Sequence, residues 1–144
     1  MGGALTWWGS YFVFRRQERA RRREEGGRLA GAAMAALREL EPDVFVERLQ
    51  LHERGREMMV EKWDRWLSAA GGLDVLRVLY PSGEVATLVE SLIVRGRLVA
   101  WRLDEQVTGR GGYPDETWLT VVGGEYLEAL DESERLIRLV QSSA

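Results

Sequence analysis

Several residue types are absent or nearly absent from this chain of 144 residues: it has no Cys, no Asn, one Lys and one His. Without Cys, the chain forms no disulfide and offers no thiolate for catalysis or metal binding. The single His52 argues against a histidine-based metal centre or a catalytic triad within one chain. Scarce Asn, Lys and Ile, whose codons are rich in A and T, indicate a GC-rich genome.

A long hydrophobic run is also missing. The most apolar stretch, residues 4–14, has eleven positions and includes Gly9 and Ser10, whereas a membrane-spanning helix needs about 20 apolar residues. Its arginines follow the apolar stretch, the reverse of the order in a secretory signal. We therefore predict neither a secretory signal nor a full transmembrane span, and we expect a cytoplasmic or virion location.

The composition is that of a soluble globular protein, with 45% hydrophobic and 30% charged residues. The net charge of −3 is unevenly distributed. Residues 1–25 carry six Arg and three Glu (net +3), whereas the remainder carries 14 basic and 20 acidic residues (net −6). We predict a basic docking arm over residues 1–25 and a single acidic domain over 26–144. This balance argues against nucleic acid as a partner, except through the block Arg15–Arg23.

The predicted arm combines aromatic anchors with an arginine clamp. Five aromatic residues within eight positions are too apolar to remain in water without a partner, and arginine suits carboxylates and phosphates. The predicted partner-binding residues are Trp7, Trp8, Tyr11, Phe12, Phe14, Arg15, Arg16 and Arg19. We favour protein subunits, of this chain or another, as the partner, with an anionic membrane surface as the alternative.

Two helices are predicted after the arm. Gly26 and Gly27 interrupt the helix-forming residues that precede them. Residues 28–40 are predicted to form a helix with a small, Ala-rich apolar face. A second helix is predicted over residues 43–70, and Gly71 and Gly72 end it. Its apolar stripe has a 4-3-4-3-4-3-4 spacing and comprises Phe45, Leu49, His52, Arg56, Met59, Trp63, Trp66 and Ala70.

Residues 73–141 are predicted to form a sheet. The expected strands are 73–80, 84–94, 97–103 and 117–122, with a final hairpin of 126–130 and 136–140. A helix stays open for 84–94, and a closing helix for 125–140. The predicted fold class is therefore α+β: an N-terminal arm and two or three helices packed on an antiparallel sheet of four to six strands.

No residue set amounts to a reaction signature, and we predict no catalytic residue, metal or cofactor. A Gly-rich loop, residues 108–116, offers a possible binding site through Arg110 and Tyr113, although it lacks the Lys and Ser/Thr of a phosphate loop. The favoured hypothesis is a non-enzymatic structural or adaptor subunit of a larger assembly, for example a virus particle or its head–tail junction.

Two alternatives stay open. One is a peripheral membrane protein. The other is a small-ligand pocket, or an enzyme, on a cone-like sheet. The cavity of that pocket would be surrounded by Trp101, Trp118, Tyr126 and His52.

Overall fold

The computed structural model describes residues 2–42, 55–107 and 116–142, and these residues form four α-helices and no strand. The helices are α1 (Gly2–Arg38), α2 (Gly55–Leu79), α3 (Glu84–Val107) and α4 (Glu116–Ser142). The predicted α+β class is therefore wrong: the described part of the chain is all-helical.

The four helices form an antiparallel bundle in which each helix packs against two others. Helix α1 contacts α2 and α4, and α3 contacts the same two helices from the opposite corner. The direction of the packing follows from individual contacts. Arg65, near the middle of α2, pairs with Glu39 just past the end of α1, whereas Leu76, close to the end of α2, lies beside Gly26 further back along α1. At the opposite corner, Arg135 of α4 pairs with Glu84 of α3.

The buried side chains of the bundle are spaced three and four residues apart, so that one face of each helix points inward. In α4 the buried positions are Val122, Tyr126, Ala129, Ser133, Leu136 and Val140. In α3 the buried hydrophobic positions are Val85, Leu88, Val89, Leu92, Val99, Ala100 and Leu103. The β-branched residues of 84–94 suggested a strand, but their helical spacing decides the structure because it buries them together.

Glycines caused most of the errors in the predicted fold. Glycines expected at turns, or at the breaks and ends of helices, lie inside helices. Three of them, Gly26, Gly72 and Gly96, lie where two helices touch. A Cβ on Gly72 would lie 2.9 Å from Leu29 Cδ2, and one on Gly26 would lie 2.6 Å from Val140 Cγ1. A Cβ on Gly96 would come within 2.6 Å of Trp66 Cε2. These glycines are therefore packing positions, and their low helix propensity is offset by close helix–helix contact.

Each predicted strand now has a place in a helix. Residues 73–79 end α2, residues 84–94 and 97–103 both belong to α3, and residues 117–122 belong to α4. The expected final hairpin is also helical, as the alternative of a closing helix allowed. Helix α2 continues through Gly71 and Gly72 to Leu79, and the turn that follows contains Gly83, whose φ of 89° favours glycine. Residues 43–54 of the second predicted helix lie outside the described residues.

Candidate docking surface

Helix α1 extends far beyond the helices that surround it. Gly26 lies beside Leu76 and Tyr80 at the end of α2, and beside Val140 near the end of α4. The residues that precede it, 2–25, continue the same helix past these ends. We call residues 2–25 the arm. At 1.5 Å per residue the arm is about 36 Å long, which is the length of α3.

Exposure changes abruptly at the base of the arm. Every residue from Gly9 to Glu24 is exposed, whereas Leu29, Ala33 and Leu37 further along the same helix are buried. Phe12 is 64% exposed and Phe14 is 62% exposed. Aromatic side chains presented to water on a single helix are costly, so the arm has the surface character of an interface rather than of an isolated helix.

The aromatic and basic residues of the arm are ordered along the helix. The Tyr11 and Phe12 rings make an edge-to-face contact at 6.2 Å, and the Arg15 guanidinium lies 5.3 Å from the centre of the Tyr11 ring. Arg16 and Arg19 follow Arg15 along the helix and are exposed. Trp7 and Trp8 precede Tyr11 in the same helix. Because Tyr11, Arg15 and Arg19 are four residues apart, they share one face.

A second exposed apolar surface lies on the bundle itself, between α2 and α3. It is a groove of about 440 Å³ lined by Trp63, Ile93, Val94, Arg97, Leu98 and Trp101. Trp101 is 47% exposed, and Val94 is 64% exposed. The volume falls in the range of sites that accept small ligands or a few side chains. Sequence reasoning missed this groove because it had placed Ile93, Val94, Leu98 and Trp101 in strands, so that they were not expected to pack beside Trp63.

The most extensive ion-pair cluster joins α3 to α4. Arg95 donates hydrogen bonds to Glu132 and Glu125 at 2.7 Å each, and it also pairs with Glu128. Ser91 donates to Glu132 at 2.9 Å. Burial, the largest single effect, lowers the pKa of Arg95, but its hydrogen bonds to Glu132 and Glu125, together with the charges of Glu132 and Glu128, raise the pKa above its ordinary value. All three carboxylates are engaged by one cation, so the cluster fastens the two helices together.

The remaining predicted site residues are dispersed or undescribed. Arg110, Tyr113 and His52 lie outside the described residues. Tyr126 is buried in the core, and Trp118 is half-buried on α4. The cone-like sheet that was to hold the pocket does not form in the described ranges. Within those ranges, no group of three or more His, Asp or Glu side chains is arranged to hold a metal ion.

No helix in residues 2–42, 55–107 and 116–142 is both long and apolar enough to cross a membrane.

The fold and the arm define an antiparallel four-helix bundle with one helix extended into solvent. No protein-family model, curated protein or solved structure matches the chain. The virus-particle setting expected from the sequence therefore has no support from the fold or from related proteins. What bears on function is the geometry of the arm and the groove.

Proposed function

We propose that this protein is a non-enzymatic adaptor subunit that docks on another protein subunit through its arm. The observation that carries the proposal is the exposure of every residue from Gly9 to Glu24 on a helix whose other half buries one face in the bundle. A helix held by a bundle at one end loses little further backbone entropy when it binds, because its conformation is already fixed. The bundle holds the arm in a fixed position, and the arm makes the contact with the partner.

The order of residues along the arm supports a protein partner. Aromatic side chains and arginine are the residue types enriched at the energetic centres of protein interfaces. Tyr11, Phe12 and Phe14 would supply buried anchors. Arg15, Arg16 and Arg19 would pair with carboxylates at the rim, where they increase the association rate and specificity.

The peripheral membrane alternative draws on the same order of residues. Residues 2–14 of the arm span about 20 Å as a helix, which is enough to enter one leaflet but not to cross a hydrocarbon core of about 30 Å. The arginines that follow would then lie at the level of anionic head groups. The two proposals predict different locations: the adaptor subunit is expected in the soluble fraction of the cell, and the peripheral membrane protein is expected in the membrane fraction.

The experiment measures the native mass of the particle that contains the chain. The tagged full chain and its Phe12→Ser/Phe14→Ser variant are expressed in the source cells, and the extract is separated into soluble and membrane fractions before native sedimentation. We expect the wild-type chain in a soluble particle heavier than the 16.4 kDa monomer, and the variant at or near monomer mass.

A matched control keeps the result specific. Leu127 is 65% exposed on α4, well away from the arm in sequence, so Leu127→Ser removes a comparable exposed apolar side chain from the bundle. It should leave the particle mass unchanged. A wild-type chain that is already monomeric in the soluble fraction would contradict the proposal. Recovery with membranes, and release by high salt, would support the membrane alternative instead.

A further inference from the structure

The arm and the groove lie on opposite sides of one level along the bundle. Trp66 of α2 lies against Gly96 of α3. Helices α2 and α3 are antiparallel, so ten residues onward from Trp66 and ten residues back from Gly96 cover the same distance along the bundle. Leu76 and Ala86 therefore lie at the same level along the bundle axis. Gly26 contacts Leu76, so the base of the arm is also at this level. This common level is the origin for the two distances that follow.

Phe12 and Trp101 lie equally far from that level, in opposite directions. Phe12 is 14 residues out along the arm, about 21 Å, and Trp101 is 15 residues in along α3, about 22 Å. A twofold axis at right angles to the helices would lay the arm of a second copy along the face of α2 and α3, and the arm is long enough for its Phe12 to reach the groove. The same operation lays the first copy's arm along the groove of the second copy. Because α2 continues to Leu79, past the level of Leu76, this axis has to lie beyond the level of Gly26 for the two bundles to meet end to end without overlap.

We infer that the arm of one copy docks in the groove between α2 and α3 of a second copy, giving a reciprocal dimer. This inference rests on the proposed function and names the partner as the chain itself. The arm does not fold back into its own groove, because α1 is one unbroken helix that carries the arm away from its own bundle. A second copy is therefore the nearest source of this groove for this arm.

The chemistry of the groove suits the arm at each level. Trp63, Trp101 and Leu98 offer apolar contact to Tyr11, Phe12 and Phe14, while Arg97 is positioned to lie on an aromatic face. Nearer the twofold level, the basic part of the arm would pass Asp74 and Glu90, whose side chains are 65% and 73% exposed. Arg77 holds both carboxylates only loosely, at 3.9 Å, so they are available to further arginines.

Reciprocity also makes the required area attainable. A stable interface buries about 1,200–2,000 Å² in total. Two identical arm–groove contacts share this requirement, so each one has to bury about 600–1,000 Å². The symmetry is closed, so the contact ends at a dimer instead of growing into a filament.

The first test is the mass of the purified full chain in solution, measured by sedimentation over a concentration series. We expect twice the monomer mass for the wild type. Phe12→Ser/Phe14→Ser removes the anchors, and Val94→Arg places a positive charge in the groove to repel the basic arm, so both variants should sediment as monomers. Leu127→Arg adds the same charge on α4 and should stay dimeric.

The second test locates the contact. A photo-crosslinking residue is introduced at position 12, and this chain is mixed with isotopically heavy wild type before irradiation. We expect crosslinked peptides that join position 12 of the light chain to residues 94–101 of the heavy chain. Crosslinks confined to other segments of the heavy chain would overturn the inference.

The outcomes separate this inference from the proposed function. A dimer that is lost in Phe12→Ser/Phe14→Ser but retained in Val94→Arg would overturn docking in the groove and leave a docking arm in place. A wild-type chain that is monomeric at every concentration would overturn self-docking, and the particle mass in the source cell would then decide whether the arm serves another protein. Pelleting with anionic vesicles by the wild type, in the absence of a dimer, would also overturn it.

Discussion

Substituting Gly96 by Ala tests the closest helix contact in the bundle. Gly96 lies in the middle of α3, and a Cβ at this position would fall within 2.6 Å of Trp66 Cε2 and closer still to Cζ2 and Cη2. Trp66 is 1% exposed and is among the largest fully buried side chains. Its ring is rigid, so relief requires either a rotation of the whole side chain or a separation of α2 from α3.

The expected magnitude follows from two opposing effects. Alanine is favoured over glycine by about 1 kcal/mol in a helix interior. Overpacking costs about 1–3 kcal/mol, and the upper value applies here because the contacted atoms belong to a rigid, fully buried ring. We expect Gly96→Ala to lower the free energy of unfolding by about 2 kcal/mol. Gly123→Ala is the matched control: it adds the same methyl group to α4, where nothing lies within 4 Å, and should raise that free energy by about 1 kcal/mol.

The assay is urea denaturation followed by far-ultraviolet circular dichroism, with every variant at one protein concentration because self-association would shift the transition. Gly26→Ala and Gly72→Ala should fall between the two extremes. A Cβ at 26 meets the stiff, buried Val140, whereas one at 72 meets the flexible end of Leu29. A Trp66→Phe substitution should cost less in the Gly96→Ala background than alone, since the smaller ring relieves the overlap. If Gly96→Ala were as stable as Gly123→Ala, the packing of Trp66 on Gly96 would be refuted.

Three further predictions concern the ion-pair cluster, the buried tyrosine and the arm. Arg95→Met should lower the free energy of unfolding by about 1–2 kcal/mol, because it leaves Glu132 uncompensated, and Glu132→Gln in the same chain should restore part of the loss in urea denaturation. Burial, with a smaller contribution from the charge of Glu41, raises the pKa of Tyr126 above its ordinary value of about 10. Its stabilising contribution is therefore complete below pH 10 and is lost as the pH rises through the higher folded-state pKa. Tyr126→Phe should remove that part of the alkaline decline in stability; an unchanged decline would contradict this assignment. Phe12→Ser/Phe14→Ser should change the stability of the isolated bundle by no more than about 0.5 kcal/mol, since both side chains are exposed, and a larger loss in thermal unfolding would mean that the arm packs on its own bundle.

The sequence contained the helical pattern, but the glycines obscured it. Val85, Leu88, Val89 and Leu92 have helical spacing that is visible without a structure. The pair Gly71–Gly72 was expected to end a helix, because glycine is a poor helix former on average. Whether a glycine breaks a helix or admits a neighbour depends on the facing helix. The partner of Gly96 is Trp66, 30 residues away, and no local pattern reveals that contact.

The candidate site divides in the same way. The apolar segment with Tyr11, Phe12 and Phe14 is visible in the sequence alone, and the structure shows these side chains exposed; their role as anchors stays a prediction. The groove could not be predicted, because Trp63 and Trp101 come from two helices and meet only through the antiparallel register of α2 and α3. With α3 assigned as strands, that register did not exist. The arm thus depends on one segment of the sequence, whereas the groove depends on how two helices pack against each other.

The unbroken course of α1 through Gly26 and Gly27 turns an aromatic segment into a directed surface. A break at this pair, as the sequence suggested, would have made the arm a flexible tether able to reach many surfaces, including its own bundle. As a continuous helix it carries Phe12 about 21 Å from Gly26 along a fixed line. Gly26 also allows the base of the arm to pack closely on the bundle, because any larger residue there would meet Val140 and Leu76. The residue that looked like the end of the arm is therefore the position that holds the arm in place.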